Sequence, residues 1–264
     1  MMQEYNYIDQ RVHQLSQIIA KVNRTFVPTK KDDSHTNLFF DPISHRVYGR
    51  WIDIENNKII LALNLKGFAF EWLNDKRQII QSFDIQGQKI SDMEHAIAQS
   101  LAGFGLKKDG FSNKLHYEMP VYPFRSEAFR SFDIKSIQNW EYYRRIANVA
   151  CSELLGYLQI DGQIRIWPHH FDTGIYIEPN SSLGLGFGFA MEDGLVDGPY
   201  FYFSGYRLNG EGFDYTKVSE LSFGKWKITD NWKGAVLSLS DLKKDPSEIV
   251  NTFLKEVSRW FLIN

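Results

Sequence analysis

The stretch Leu183-Gly184-Leu185-Gly186-Phe187-Gly188-Phe189 constrains the fold more than any other part of the chain. Successive side chains of a strand point to opposite faces, so the three glycines share one face and the leucines and phenylalanines share the other. A second stretch, Pro199 to Tyr206, supplies a partner: Tyr200, Tyr202, Ser204 and Tyr206 fall on one face, Phe201 and Phe203 on the other. Paired, these strands put bulky hydrocarbon into a core and leave a strip of bare backbone beside a row of phenols. A glycine strip in a strand marks a place where something bulky approaches the backbone. Either the tyrosine rings themselves lie over the glycines, or the two faces line one side of a pocket for a polar, ring-shaped molecule such as a sugar or a base. Gly184-Leu185-Gly186 lacks the downstream spacing and the following helix of a dinucleotide fingerprint, so no cofactor is expected from it.

The remaining elements follow from periodicity. Ile8, Val12, Leu15, Ile18, Ile19 and Val22 recur at helical spacing over residues 3–23. A meander of strands is predicted next, over Arg46–Ile54, Lys58–Leu65, Phe68–Trp72 and Gln78–Ile85, with turns at Asn56-Asn57, Lys66-Gly67 and Asn74-Asp75. Ser91 to Glu94 has capping-box spacing and predicts a helix over 92–102, ended by Gly103 or Gly105. Residues 107–133 carry little periodicity and read as an extended connector. Ile137, Trp140, Ala147, Ala150, Leu154 and Leu158 mark a long helix, with Cys151 on its buried face. Strands are expected at 163–167, 173–178, 183–189 and 200–206, with weaker candidates at 226–228 and 235–239. Asp245-Pro246-Ser247-Glu248 is a specific helix start, leading to a last helix that buries Ile249, Phe253, Val257 and Phe261. The order helix, meander, helix occurs twice. The expected fold class is therefore α+β with two similarly ordered halves, 1–125 and 126–264, each an antiparallel sheet packed with helices; an internal duplication would explain the repetition.

Composition narrows the function classes. In 264 residues there are 30 basic and 32 acidic side chains, a net charge of -2, which leaves no field to attract a polyanion; nucleic acid is not an expected partner. One cysteine excludes an internal disulfide and fits a reducing compartment. Met1 to Tyr5 has no basic or apolar leader region, and no apolar run reaches the ~20 residues of a spanning helix. These features point to a cytoplasmic protein without a membrane partner.

Chemistry-bearing residues concentrate in Trp167-Pro168-His169-His170-Phe171-Asp172. On a regular strand His169 and His170 would point apart, so they would not share a metal without a bulge. His170 and Asp172 would share a face, where the carboxylate could orient the imidazole as a general base. The plainer alternative is one histidine capping a strand end and the other bonding a backbone carbonyl. The acidic loop Met191 to Pro199 lacks calcium-loop spacing, and no metal site is expected. Asp32, Asp33, His35 and Asn37 form a similar polar cluster in the other half. His13, His45, His95 and His116 stand isolated and carry no expected role.

These residues together resemble an uncharacterised bacterial family classed as a domain of unknown function. The similarity runs from about Gln10 to Phe261. It includes the polar loop Asp33-Ser34-His35-Thr36-Asn37, the long central helix, an aromatic-rich strand with Phe171-Asp172, the aromatic strand at Tyr200-Phe201-Tyr202 and the final helix. The paired His169-His170 departs from many members. The resemblance implies the architecture and assigns no activity.

The expected function is binding of a small polar molecule in an aromatic-lined pocket near the second sheet, with Trp167, His169, Gly186, Tyr200 and Ser204 as ligand contacts. One alternative is a hydrolase in which His170 is the general base, Asp172 orients it and Tyr202 stabilises developing charge. Another is a protein-interaction module that uses exposed aromatics.

Overall fold

A computed structural model describes residues 2–55 and 57–264. The turn expected at Asn56-Asn57 includes Asn56, which lies outside the described residues. The fold is α+β, with two similarly ordered halves, each an antiparallel sheet with helices. Helix α1 (Met2–Phe26) precedes strands β1 (Phe39–Asp41), β2 (Arg46–Tyr48), β3 (Ile52–Ile54), β4 (Asn57–Asn64), β5 (Ala69–Asn74) and β6 (Ile79–Asp84). Their sheet has the order β1-β2-β4-β5-β6, with β3 also paired to β4. Helices α2 (Ile90–Ser100) and α3 (Ile134–Leu158) follow, then β7 (Arg165–Trp167), β8 (Asp172–Asn180), β9 (Leu183–Ala190), β10 (Tyr200–Arg207), β11 (Lys225–Ile228), β12 (Lys233–Ser238) and helix α4 (Pro246–Ile263). The second sheet has the order β11-β12-β10-β9-β8-β7.

Two local expectations are corrected. The single strand expected over Arg46–Ile54 is broken into β2 and β3. At the break, Asn23 of α1 accepts the Arg50 N–H through Oδ1 (2.9 Å), removing that donor from the ladder. A Cβ on Gly49 would stand 2.6 Å from the same oxygen, so only glycine lets the helix approach this closely. Helix α2 starts two residues before the predicted 92–102. The carboxylate that bonds back to the backbone is Asp92, accepting from the Lys89 N–H at 3.3 Å, rather than Glu94 reaching Ser91. It ends through a 3-10 turn at Gly105, whose φ of 71° is the left-handed conformation that suits glycine.

The chain forms two compact units, and each is continuous in space but not in sequence. One comprises Tyr7–Glu141 and Ile166–Phe171. Its core buries Val12, Leu15, Ile18 and Ile19 of α1, the β4 run Ile59–Leu63, and Phe40, Phe70 and Trp72. Trp140 packs edge-on to Phe40 at 5.2 Å and donates its indole N–H to Asp9 Oδ1 at 2.7 Å. The connector 107–133 has no strand or α-helix, yet Phe111, Tyr122, Phe124 and Phe129 are buried, which ties it to this core.

The other unit comprises Met1–Asn6, Tyr142–Arg165 and Asp172–Asn264. Here the alternation read from sequence is realised. Leu185, Phe187, Phe189, Phe201 and Phe203 are fully buried, and the four phenylalanine rings are in contact, Phe189 and Phe201 at 4.7 Å. Helix α4 covers this face: Phe261 stacks on Phe203 at 5.7 Å and presses against the backbone at Gly205, where a Cβ would overlap its ring. The α4 start is as expected, with Asp245 Oδ1 accepting the Glu248 N–H at 3.2 Å and Pro246 at the first helical position.

Candidate functional site

The opposite face of β8, β9 and β10 carries the glycines and tyrosines in register: Gly188 lies beside Tyr202, Gly186 beside Ser204 and Gly184 beside Tyr206. The tyrosine rings lie over the glycine backbone. A Cβ on Gly188 would meet the Tyr202 hydroxyl at 2.9 Å and the Thr173 carbonyl oxygen at 2.7 Å, and Tyr176 covers Gly184 as closely. Gly186 is the least encumbered of the three, with Ser204 Oγ at 3.0 Å from its notional Cβ and Tyr206 at 3.8 Å. Ser204 Oγ donates to the Tyr206 hydroxyl at 3.1 Å. Tyr176 and Tyr206, 6.2 Å apart, are each about half exposed and form the outer rim.

At the inner end of this row the Tyr202 hydroxyl donates to Asp172 Oδ2 at 2.5 Å, a short charge-assisted bond, and Asp172 is buried. Burial first, and the neighbouring carboxylate second, hold the Tyr202 phenol well above its ordinary range. The Cys151 thiol is pushed up by the same two causes, burial and then Asp172, and is unsuited to act as a nucleophile. Next to Asp172, Thr173 Oγ1 accepts from the buried Arg144 guanidinium at 2.9 Å. Tyr200 donates to Asp193 Oδ2 at 2.8 Å, and Asp193 also receives the Leu195 N–H at 2.7 Å, so the acidic loop closes on itself.

The strand alternation expected to carry His170 and Asp172 on one face does not extend that far. Residues 168–171 form a turn, closed by the Phe171 N–H on the Trp167 carbonyl (2.7 Å), with Phe171 at a φ of 52°. Trp167 ends β7 half-buried. His169 is half-buried with its ring 4.3 Å from that of His170, and His170 is exposed. Residues without an expected role hold this turn. His13 Nε2 and Gln17 Nε2 both reach the Pro168 carbonyl, at 2.8 and 2.9 Å, and the His13 ring stacks on Phe171 at 4.9 Å. A carbonyl only accepts, so Nε2 of His13 carries the proton; in the neutral ring Nδ1 then accepts from the Tyr122 hydroxyl at 2.7 Å. The overlooked signal was a buried polar ridge on an apolar helix face: Asp9, His13 and Gln17 recur every four residues.

Around that turn the same unit gathers further polar aromatics. Tyr117 donates to Gln17 Oε1 at 2.8 Å and its ring lies 5.5 Å from His169. His116 Nε2 is 2.9 Å from Asp33 Oδ2, and the buried His35 lies 3.6 Å from the other oxygen. Among the described residues, no group of three or more His, Cys, Asp or Glu side chains is placed to hold a metal ion. No described helix is long and apolar enough to cross a membrane.

Two cavities open beside the second sheet within its own unit. One, of about 300 Å³, lies at the Tyr206 end of the tyrosine row and is lined by Tyr206, Arg207, Glu211, Phe213, Tyr215, Asn231 and Trp232 over a floor that includes Gly205. The other, of about 410 Å³, lies between α4 and residues 217–226. Of the expected ligand contacts, Gly186 and Ser204 meet at the tyrosine face and Tyr200 is engaged by Asp193; of the expected catalytic residues, Asp172 meets Tyr202. Trp232 and Asn231, in the turn between β11 and β12, escaped notice because a β-turn indole has no periodic partner in sequence. The chain matches no family model, no curated protein and no solved structure.

Proposed function

We propose that the protein binds a small polar, ring-shaped molecule, such as a sugar or a base, in the cavity at the Tyr206 end of the tyrosine row. The observation that supports this reading is the lining itself. Two partly exposed aromatic rings, Tyr206 and Trp232, flank a space of about 300 Å³, with the amide of Asn231 and the carboxylate of Glu211 on its rim. Ligand sites commonly have this make-up, apolar ring surface for affinity and a few polar groups for orientation, and this volume is at the lower end of their range. Trp232 is positioned by Gly234, where a Cβ would fall 2.7 Å from the indole.

The test is a thermal-shift screen against monosaccharides and nucleosides, followed by titration of any compound that raises Tm. Ligand at a hundred times Kd stabilises the native state by about 2.7 kcal/mol. Trp232→Ala removes ring contact worth about 0.5–1.5 kcal/mol and is expected to weaken binding up to about tenfold, while His170→Ala leaves it unchanged. If no compound raises Tm, or Trp232→Ala binds as tightly as the parent, the reading fails.

One contact favours a second reading, hydrolysis: the exposed His116 imidazole held by Asp33 at 2.9 Å, an acid-base pair of the kind expected at His170 and Asp172. It requires that turnover of an activated ester such as p-nitrophenyl acetate exceed that of free imidazole and fall to that level in His116→Ala.

A further inference from the structure

The larger cavity has a different chemistry from the first. Its walls include Trp226 and Trp260, with ring centroids 4.8 Å apart and planes at 61°. Both indole N–H groups are already used, Trp226 on the Ser219 carbonyl at 2.9 Å and Trp260 on the Lys217 carbonyl at 3.4 Å. The rings are therefore fixed in orientation and offer only carbon surface. Trp260 is further stacked on Tyr215 at 5.3 Å.

Four charged side chains line the same cavity: Lys217, Glu220, Glu256 and Arg259. Two are matched within the protein. Lys217 pairs with Asp214 at 3.0 Å, and Glu256 accepts from both the N–H and the hydroxyl of Ser222, at 2.8 and 2.5 Å. The side chains of Arg259 and Glu220, both exposed, have no ion pair or hydrogen bond among the described residues. A guanidinium presents a planar fork suited to a carboxylate, and a carboxylate suits an ammonium group. What remains unmatched is one cation, one anion and a rigid aromatic wall.

We propose that this cleft is a second binding site, for a zwitterionic aromatic amino acid. Arg259 takes the α-carboxylate, Glu220 takes the α-ammonium, and the side-chain ring packs edge-to-face against Trp226 and Trp260. The inference is independent of the reading at Trp232, because the residues that carry it line a different cavity.

The test titrates the whole protein with L-phenylalanine, phenylacetate and 2-phenylethylamine, followed by calorimetry and by tryptophan fluorescence. The two smaller probes each keep the ring and lack one charge. L-phenylalanine is expected to bind at least about tenfold more tightly than either. Arg259→Gln and Glu220→Gln alter exposed side chains on the surface of a folded unit. Each should weaken L-phenylalanine by about tenfold. Arg259→Gln should leave 2-phenylethylamine unchanged, and Glu220→Gln should leave phenylacetate unchanged. Trp232→Ala should leave all three affinities unchanged, which separates this site from the first. The proposal is overturned if L-phenylalanine shows no saturable binding, if it binds no better than the single-charge probes, or if neither charge variant weakens it.

Discussion

Placing alanine at Gly188 should destabilise the protein and placing it at Gly186 should not, although the two positions are two residues apart on one face of β9. In an ordinary strand, replacing glycine by alanine stabilises by roughly 0.5–1 kcal/mol, because glycine loses more backbone freedom on folding. At Gly188 the new methyl would stand 2.7 Å from the Thr173 carbonyl oxygen, 2.9 Å from Gly174 Cα and 2.9 Å from the Tyr202 hydroxyl. Non-bonded carbon contacts are comfortable near 3.5–4.0 Å, so β8 and β9 would have to separate by several tenths of an ångström in the middle of their ladder. Overpacking of this kind costs about 1–3 kcal/mol. The displaced phenol also strains the 2.5 Å bond from Tyr202 to Asp172. The expected net loss for Gly188→Ala is about 1–2 kcal/mol, or a fall in Tm of roughly 2–8 °C at 2–4 °C per kcal/mol. At Gly186 the nearest atom is the Ser204 hydroxyl at 3.0 Å, the end of a rotatable side chain, and the next is Tyr206 at 3.8 Å. The strand gain offsets that contact, and Gly186→Ala should stay within about 0.5 kcal/mol of the parent. Thermal and urea unfolding of the parent and both variants decide the matter. Equal stabilities, or a Gly188→Ala variant more stable than the parent, would refute the close approach of Tyr202 and β8 to this backbone.

Two other outcomes follow from the same packing. Burial raises the Tyr215 phenol to about 12, and Tyr200 and Tyr202 are raised further, by burial and then by Asp193 and Asp172 respectively. An unfolded tyrosine ionises near 10, so the stabilisation from keeping these phenols neutral is complete below pH 10 and is lost as pH climbs above it, through about 12 for Tyr215 and higher for the other two; exposed tyrosines ionise first, and full tyrosinate absorbance from all 13 tyrosines near the unperturbed pKa without unfolding would contradict it. His13→Ala deprives Tyr122 of its acceptor and the Pro168 carbonyl of one donor inside a buried cluster, which should cost about 2–4 kcal/mol, against about 1 kcal/mol for Tyr122→Phe, measured by urea unfolding.

Much of the second sheet was legible in sequence because its signal is local. The period of two at 183–189 and 200–206 assigns every side chain to a face without knowledge of the partner strand, and register then follows from burying the phenylalanine face. The start of α4 was equally local: Asp245 accepts the Glu248 N–H and Pro246 opens the helix, all within a single turn. Two of the departures share one cause. The break between β2 and β3 depends on Asn23, more than twenty residues away in α1. The turn at 168–171, where the expected shared face of His170 and Asp172 breaks down, is held by His13 and Gln17, more than one hundred and fifty residues away. In both places a side chain from a distant helix competes with a strand ladder for backbone groups, and a window of neighbouring residues contains no trace of that competitor.

The candidate sites divide along the same line. The sequence by itself determined that phenol rings and bare backbone would lie side by side, because strand pleating fixes which residues share a face. Only the tertiary structure decided that Tyr202 and Tyr176 fill the space above Gly188 and Gly184 and leave open space instead at Tyr206 and Trp232, and along α4 at Trp226, Trp260 and Arg259. A cavity is the volume that several elements fail to fill together, and no single element encodes how its neighbours will pack.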